Sequence, residues 1–356
     1  MRILQLIDTL SPGGAERMAV NYANALAEKI EFSGLVCTRL EGDLRDRIST
    51  KISFLCLYKK HALDIPALLK LRHVVKKNRV QIIHAHGTTF FTAFLLKCIY
   101  PPLKIIYHEH LGNRVNEKFS QNIVLIFCSL FFTKIIVVNL ELKVWCEKFL
   151  WCKNVFFLPN FAHLSQDEST TTTLKGTDGK RIVMLANFKY PKNHFFVVKA
   201  FSEMNLISQG WTLHLVGKIY DDDYFNAIGS FVSNGLLTNA VFFYNSCADI
   251  KNILSQADIG ILASTSEGFP VAILEYAQMK LPVMSTNAGY CSALIENGKT
   301  GFLFDPNNIE NFKTQLQCCV SDIDLSNNLA YNLHQICEHK YSENAVILQL
   351  LAIYSK

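Results

Sequence analysis

Glu267 and Glu275 stand eight residues apart in the stretch Ser266-Glu267-Gly268-Phe269-Pro270-Val271-Ala272-Ile273-Leu274-Glu275. The apolar run Ile259–Ala263 before it predicts a buried strand. Gly268 permits a tight turn, and Pro270 suits the first turn of a helix, where its missing N–H costs nothing. Glu267 then lies in the loop and Glu275 about a turn and a half into the helix. The helix N-terminus between them offers unpaired backbone N–H groups to an anion such as phosphate. A carboxylate beside an anion site is unfavourable unless it binds hydroxyls. Sugar or ribose hydroxyls meet that need, so the local chemistry is that of a nucleotide-sugar site.

Four other groups of residues sit where strands are predicted to end. Pro12-Gly13-Gly14-Ala15-Glu16-Arg17 follows the first strand. Its paired glycines serve a structural turn or a phosphate-approaching loop equally well. It lacks the G-x-G-x-x-G spacing of a nicotinamide site. His84 and His86 end one strand and His108 and His110 another, in Ile83-His84-Ala85-His86-Gly87 and Tyr107-His108-Glu109-His110. Alternate strand residues share a face, but no convergent carboxylate or cysteine completes a metal set, so the expectation is satisfied or substrate-touching histidines lining a cleft, and no metal. The last group is Asn187-Phe188-Lys189-Tyr190-Pro191-Lys192-Asn193-His194. There Lys192 precedes a helix; its position fits either an ordinary surface lysine, the default for any single Lys, or a cation for a diphosphate leaving group.

The elements that must position these groups alternate strand and helix. In the first half, strands are predicted at Arg2–Ile7, Gly34–Cys37, Ile52–Leu57, Val80–His84, Lys104–Tyr107, Ile135–Val138 and Val155–Leu158. Helices are predicted at Ala15–Lys29, Ile65–Lys77 and Asn116–Phe132. Around Ser165–Lys180 the chain turns polar and reads as a linker. Strands then resume at Arg181–Ala186, Thr212–Val216, Ala240–Tyr244, Asp258–Leu262, Pro282–Met284 and Gly301–Phe304. Such alternation predicts α/β architecture: two doubly wound, Rossmann-like domains over 1–165 and 166–340, facing across a cleft. A C-terminal helix, 341–356, is expected to pack back on the first.

Composition agrees with a folded α/β protein of this size: 356 residues, half of them apolar and 18% charged. The net charge of +5 is uneven, because residues 1–165 carry 22 Lys+Arg against 12 Asp+Glu, giving +10, and the rest carry −5. A basic first half suits an anionic partner, either headgroups or a phosphorylated acceptor; the bases are scattered and no nucleic-acid module appears. The eleven cysteines show no C-x-x-C spacing and fit buried thiols in a reducing compartment. The apolar run Ile123–Phe132 is too short to span a bilayer. A cytoplasmic protein, with attachment to the inner membrane's cytoplasmic face left open, is the expectation.

The order and spacing of these motifs resemble family 4 glycosyltransferases of the GT-B fold over nearly the whole chain. The motifs are Gly-Gly-Ala-Glu-Arg at 13–17, His108 after a strand, Leu158-Pro159-Asn160, Lys192, the Glu-x7-Glu pair with Glu-Gly-Phe-Pro, and Asn297-Gly298 with Gly301. The resemblance implies that Glu275 holds the donor's ribose hydroxyls and that Glu267 contacts the donor sugar. It also implies that Gly13, Gly14 and the backbone of Gly268, Phe269, Pro270 and Val271 lie near the diphosphate, which Lys192 neutralises. His108 is implied to lie near the reacting carbon, while Arg17, His86 and His110 fall on the acceptor side. Relatives usually have Gly-Arg-Leu where this chain has Ala186-Asn187-Phe188, so Asn187 replaces an arginine at the diphosphate. Lys189, Lys218 or Arg17 would have to compensate.

The activity this implies is retaining, metal-independent transfer of a sugar from a nucleoside-diphosphate-sugar, with UDP the commonest nucleotide among relatives. The acceptor would be a hydroxyl of a glycan or lipid-linked precursor in bacterial surface polysaccharide assembly, with no cofactor beyond the donor. Two alternatives stay open: a nucleotide-sugar epimerase of the same architecture, and a non-catalytic partner subunit, the latter kept alive by Asn187.

Overall fold

The computed structural model describes residues 1–164 and 171–355. The chain forms two compact units, Met1–Asn160 with Glu343–Lys356, and Phe161–Ser342.

Seven strands build the first unit: β1 (Arg2–Thr9), β2 (Phe32–Leu40), β3 (Ser53–Cys56), β4 (Ile82–His86), β5 (Lys104–Glu109), β6 (Lys134–Val137) and β7 (Val155–Phe157). All pair in parallel in the order β3-β2-β1-β4-β5-β6-β7. Parallel sheets are covered on both faces, which is why these strands read as near-continuous apolar runs. The crossovers carry α1 (Gly14–Leu26), α2 (Ile65–Lys77), α3 (Phe90–Ile99), α4 (Ile123–Cys128) and α5 (Leu140–Phe149). The strand order reverses between β1 and β4, and Gln5 of β1 lies opposite His84 of β4. That reversal is the switch point where open α/β sheets collect ligands.

The second unit repeats the plan with β8 (Arg181–Leu185), β9 (Thr212–Val216), β10 (Val241–Tyr244), β11 (Ile259–Leu262), β12 (Val283–Thr286) and β13 (Phe302–Phe304), ordered β10-β9-β8-β11-β12-β13 and again parallel. Its helices are α6 (His194–Ser202), α7 (Asp223–Asn234), α8 (Ile250–Ser255), α9 (Val271–Gln278), α10 (Cys291–Leu294), α11 (Ile309–Ser321) and α12 (Ile323–Tyr341). Its switch point falls between β8 and β11, the two strands that lead into the Lys192 and Glu267 segments. The final helix, α13 (Glu343–Ser355), belongs to the first unit and buries Val346, Ile347, Leu350, Ile353 and Tyr354.

Two predicted segments take a different form. The single helix expected over Asn116–Phe132 is broken into 3-10 turns at Gly112–Asn116, Phe119–Asn122 and Ser129–Phe131 around the short α4. The break is at Lys118, whose backbone is extended. The cause lies at the buried Glu109, which takes the Arg114 guanidinium, while Arg114 Nη1 donates to Asn122 Oδ1 at 2.6 Å. Pulling both residues inward is incompatible with one straight helix. Of the predicted linker, 165–170 lies outside the described residues. Thr171 and Thr172 are bonded into the second unit, donating their N–H groups to Asp249 Oδ2 at 2.9 and 2.8 Å.

Candidate functional site

In the second unit the chain leaves β8 through Ala186 and reaches Lys192 just before α6. Gly217 makes this turn possible, since a Cβ there would lie 2.1 Å from the Ala186 carbonyl oxygen. Asn187 closes it, its Oδ1 accepting the Lys218 N–H at 3.0 Å. His194 fixes the start of α6. Its Nε2–H donates to the Ala186 carbonyl at 3.1 Å, its Nδ1 accepts from the Tyr224 hydroxyl at 3.0 Å, and its ring stacks on Phe188. Burial first, with the Lys192 charge adding, pushes His194 down to about 4, so the ring is neutral.

The facing segment leaves β11 through Ser264 and enters α9 after Pro270, which caps the helix rather than opening its first turn. Phe269 anchors the loop by stacking on Tyr290 and meeting Tyr341 edge-on. Tyr276 anchors α9, donating to the Ile261 carbonyl at 3.0 Å and accepting from Leu185 N–H at 2.7 Å. Gly260 leaves room for that ring, which a Cβ would meet at 2.6 Å. With Tyr276 pinned to the sheet, the adjacent Glu275 is held buried. Lys192 Nζ and Glu267 Oε1 meet at 2.6 Å, both largely shielded from solvent. The structure thus brings Lys192 and Glu267 into direct contact at the switch point, with Gly268, Phe269, Pro270 and Val271 leading from Glu267 into the helix. Lys189 is exposed, and Lys218 lies over the Tyr220 ring.

Sequence reasoning missed two contributors here. Ser264 is fully buried at the end of β11, and its Oγ has no partner among the described residues. Gly289 has φ +56°, and a Cβ there would lie 1.9 Å from the Glu267 carbonyl oxygen, so Glu267 is set by a glycine 22 positions away. Neither a lone serine nor a lone glycine carries a pattern that would reveal this.

In the first unit Gly13 is the N-cap of α1 and Gly14 its first residue, with Arg17 half-buried one turn on. The four histidines form one hydrogen-bonded chain that runs through Gln5 and Tyr354. Gln5 Nε2 donates to the Tyr354 hydroxyl at 3.5 Å, and that hydroxyl donates to His84 Nδ1 at 2.6 Å. His84 Nε2 therefore carries the proton and donates to His108 Nδ1 at 3.1 Å. On the other side His86 Nε2–H donates to Gln5 Oε1 at 2.9 Å, and His110 Nε2–H donates to His86 Nδ1 at 2.9 Å. Tyr22 of α1 lies against His84, His86 and His108.

Burial drives all four rings neutral. His84 and His110 are pushed down to about 3, and His86 and His108 well below the usual range, with neighbouring histidines adding to the effect on all but His110. With neutral rings, the orientation of the Gln5 amide assigns every tautomer. Two buried nitrogens are left without partners at the ends of the chain: His108 Nε2, a donor, and His110 Nδ1, an acceptor. His86 has both nitrogens engaged, donating to Gln5 and accepting from His110.

His84, His86 and His108 offer ligand atoms within 4.8 Å of one another. Five of their six nitrogens are engaged, on one another and on Gln5, Tyr354 and His110, and the sixth is His108 Nε2. In the structure these nitrogens form part of the hydrogen-bond chain.

The comparisons with known proteins agree with this layout. Residues 12–162 match the family described as Glycosyltransferase Family 4, and residues 165–335 match Glycosyl transferases group 1. The chain is 24% identical over 336 residues to an Escherichia coli UDP-Gal:alpha-D-GlcNAc-diphosphoundecaprenol alpha-1,3-galactosyltransferase, covering 87% of this chain and 84% of that one. It is 22% identical over 350 residues to a Campylobacter jejuni alpha-1,4-N-acetyl-D-galactosaminyltransferase named for a diphosphoundecaprenol-linked acceptor, covering 95% and 94%. Its fold matches Anabaena Alr3699/HepE, solved with UDP and glucose, with a TM-score of 0.82 over 100% of this chain and 99% of that one, at 17% identity. Two parallel α/β units, the Glu-x7-Glu segment at the second unit's switch point and the family matches across both halves lead to one assignment: the chain is a GT-B glycosyltransferase and belongs to the group 1, family 4 glycosyltransferases.

Proposed function

We propose that the protein transfers a sugar, with retention at the anomeric carbon, from a nucleoside-diphosphate-sugar to a hydroxyl of a glycan or lipid-linked acceptor. UDP is the proposed nucleotide, and bacterial surface polysaccharide assembly the setting. The observation that carries the reading is the Lys192–Glu267 pair at the switch point, beside a buried Glu275 on α9. A paired lysine and carboxylate await an arriving donor. The diphosphate takes up the Lys192 charge, and Glu267, released from the lysine, accepts hydrogen bonds from sugar hydroxyls. Glu275 takes the two ribose hydroxyls. As the bond from the anomeric carbon to the phosphate oxygen breaks, its electron pair leaves with the diphosphate, where Lys192 and the α9 N-terminus stabilise it. The acceptor oxygen bonds on the face the diphosphate leaves, and its proton passes to the departing phosphate oxygen. Lys192 supplies the charge stabilisation a metal would otherwise provide, and no cofactor beyond the donor is invoked.

His108 Nε2–H and His110 Nδ1 are assigned to hydroxyl recognition, because a hydroxyl both accepts and donates. Support for the donor and acceptor classes comes from the relatives, two of them named for undecaprenyl-diphosphate-linked acceptors, and from neighbours solved with UDP and UDP-glucose. Peripheral attachment to an anionic membrane fits an acceptor of that kind. The test is a thermal-shift screen of nucleotide-sugars followed by measurement of nucleoside-diphosphate release with and without acceptor. Glu275→Ala is expected to weaken donor binding by about tenfold or more, the worth of one or two hydrogen bonds to a charged group. Full donor affinity in that variant would sink the ribose assignment, and a changed sugar without acceptor would indicate an epimerase.

A further inference from the structure

The segment Phe119–Thr133 contains no charged residue. Its inner side, Asn122, Leu125, Ile126, Cys128 and Ser129, is buried. Its outer side is apolar as well: Ile123, Val124, Phe127 and Leu130 are 54%, 53%, 49% and 57% exposed. A helical segment that is apolar all round belongs in a core, yet this one turns half its surface outward. The exposed face continues onto neighbouring elements. Phe127 and Phe131 both pack on Phe94 of α3, at 5.8 and 5.0 Å between ring centroids, and Phe127 meets Trp151 edge-on at 6.4 Å. Scattered exposed apolar residues need no explanation, but a connected aromatic patch does.

The rim of this patch carries three exposed lysines, with the exposed Glu147 beside Lys148. Lys118 precedes the exposed Phe119, Lys148 lies over the Phe149 ring at 5.1 Å, and Lys153 follows Trp151 by two positions, all three exposed. Exposed lysines around an apolar face bearing Phe and Trp match a bilayer interface, where rings enter the acyl boundary and ammonium groups reach anionic headgroups. The buried Glu109–Arg114–Asn122 chain ties the inner side of the segment to β5, so the patch is a fixed platform. No helix among the described residues is long and apolar enough to cross a membrane, so this face would lie on a bilayer.

We infer that the outer face of α4, with Phe131 and Trp151, docks the first unit on a bilayer carrying anionic lipids. The inference deepens the proposed lipid-linked acceptor and rests on that reading for its purpose, though its test needs no donor. Trp151 is a built-in reporter, since the other tryptophans, Trp145 and Trp211, are buried. The full chain would be mixed with vesicles of phosphatidylethanolamine and phosphatidylglycerol, and with phosphatidylcholine vesicles as the neutral control. Expected are a blue shift of the emission, quenching by brominated acyl chains, and co-sedimentation that falls at high salt and is weaker on the neutral vesicles. Ile123→Ser/Phe127→Ser, with unchanged circular dichroism, should partition at least about tenfold more weakly. Trp151→Phe should co-sediment normally while losing the blue shift, which keeps the test open if the double variant misfolds. Absence of a blue shift and of co-sedimentation in the native protein would overturn the inference. So would equal binding by the folded double variant, or a vesicle-free dimer that the same variant dissolves, which would make a second copy the occupant. If the native protein released no nucleotide from any donor, the transferase reading would fail while the vesicle result stood.

Discussion

Lowering the pH from about 7 to about 5 should destabilise the first unit through its histidine chain. In the folded state His84, His86 and His108 are held neutral by burial, with pKa values pushed down to about 3 for His84 and well below the usual range for the other two. Their unfolded values lie near 6.5, so the unfolded chain binds protons more tightly. The stability they contribute is therefore fully present above about pH 6.5 and is lost as the pH falls from there toward the folded values. At about pH 5 each ring costs about 2 kcal/mol relative to neutral pH, so three rings together remove up to roughly 6 kcal/mol, comparable to the whole stability of a small domain. His110, also pushed down to about 3 by burial, adds a comparable amount, and His194 and His214 of the second unit, each pushed down to about 4 by burial, act in the same direction. Urea unfolding at a series of pH values, followed by fluorescence, reads the slope. Replacing His86 with glutamine removes one titrating ring and should reduce proton uptake on unfolding by about one. A free energy of unfolding flat to within about 1 kcal/mol over this range, or imidazole ¹⁵N signals showing these rings titrating near 6.5, would refute the buried neutral chain.

Three further outcomes follow from named contacts. Gln5→Glu turns the central amide into an acceptor for both Tyr354 and His86, so Tyr354 no longer donates to His84; the His108 proton should move from Nε2 to Nδ1, visible in ¹⁵N-histidine spectra, with His110 unchanged. Gly289→Ala forces a Cβ against the Glu267 carbonyl at a positive φ and should cost about 1–2 kcal/mol of stability while weakening donor affinity; a variant with native donor affinity would remove Gly289 from the site. Lys192→Ala strips the cation from the leaving group and leaves Glu267 without its partner, so kcat/KM should fall by about a hundredfold or more, and a loss in KM alone would argue against a role in charge stabilisation.

Much of the strand framework was legible because parallel strands are buried on both faces and write themselves as apolar runs. The predicted Thr212–Val216 matches β9 residue for residue, and most others shift by one to three positions. The Asn116–Phe132 helix was misread because its periodicity says nothing of Arg114 and Asn122 being drawn toward Glu109. At the candidate site, the Glu267 and Lys192 segments were visible as local motifs, but their 2.6 Å contact joins residues 75 positions apart. The histidine chain shows the limit more sharply. His84, His86, His108 and His110 stood out by type, whereas Gln5 and Tyr354, which fix their protons, are 349 positions apart and neither belongs to a motif. Apolar runs report what is buried, and long-range polar partners leave no periodic trace.

The placement of α13 bears on the order of assembly. The second unit is one uninterrupted stretch, so a growing chain can complete it as soon as its residues emerge. The first unit cannot finish then, because its core still lacks Val346, Ile347 and Leu350, and Lys134 lacks the Ile353 carbonyl it binds. Until Tyr354 arrives, His84 Nδ1 has no hydroxyl to set its proton, and the tautomers of the whole histidine chain are undetermined. The chemistry of residues made early is thus licensed by a helix made later, and a nascent chain that has folded its second unit still holds an unset histidine chain in the first.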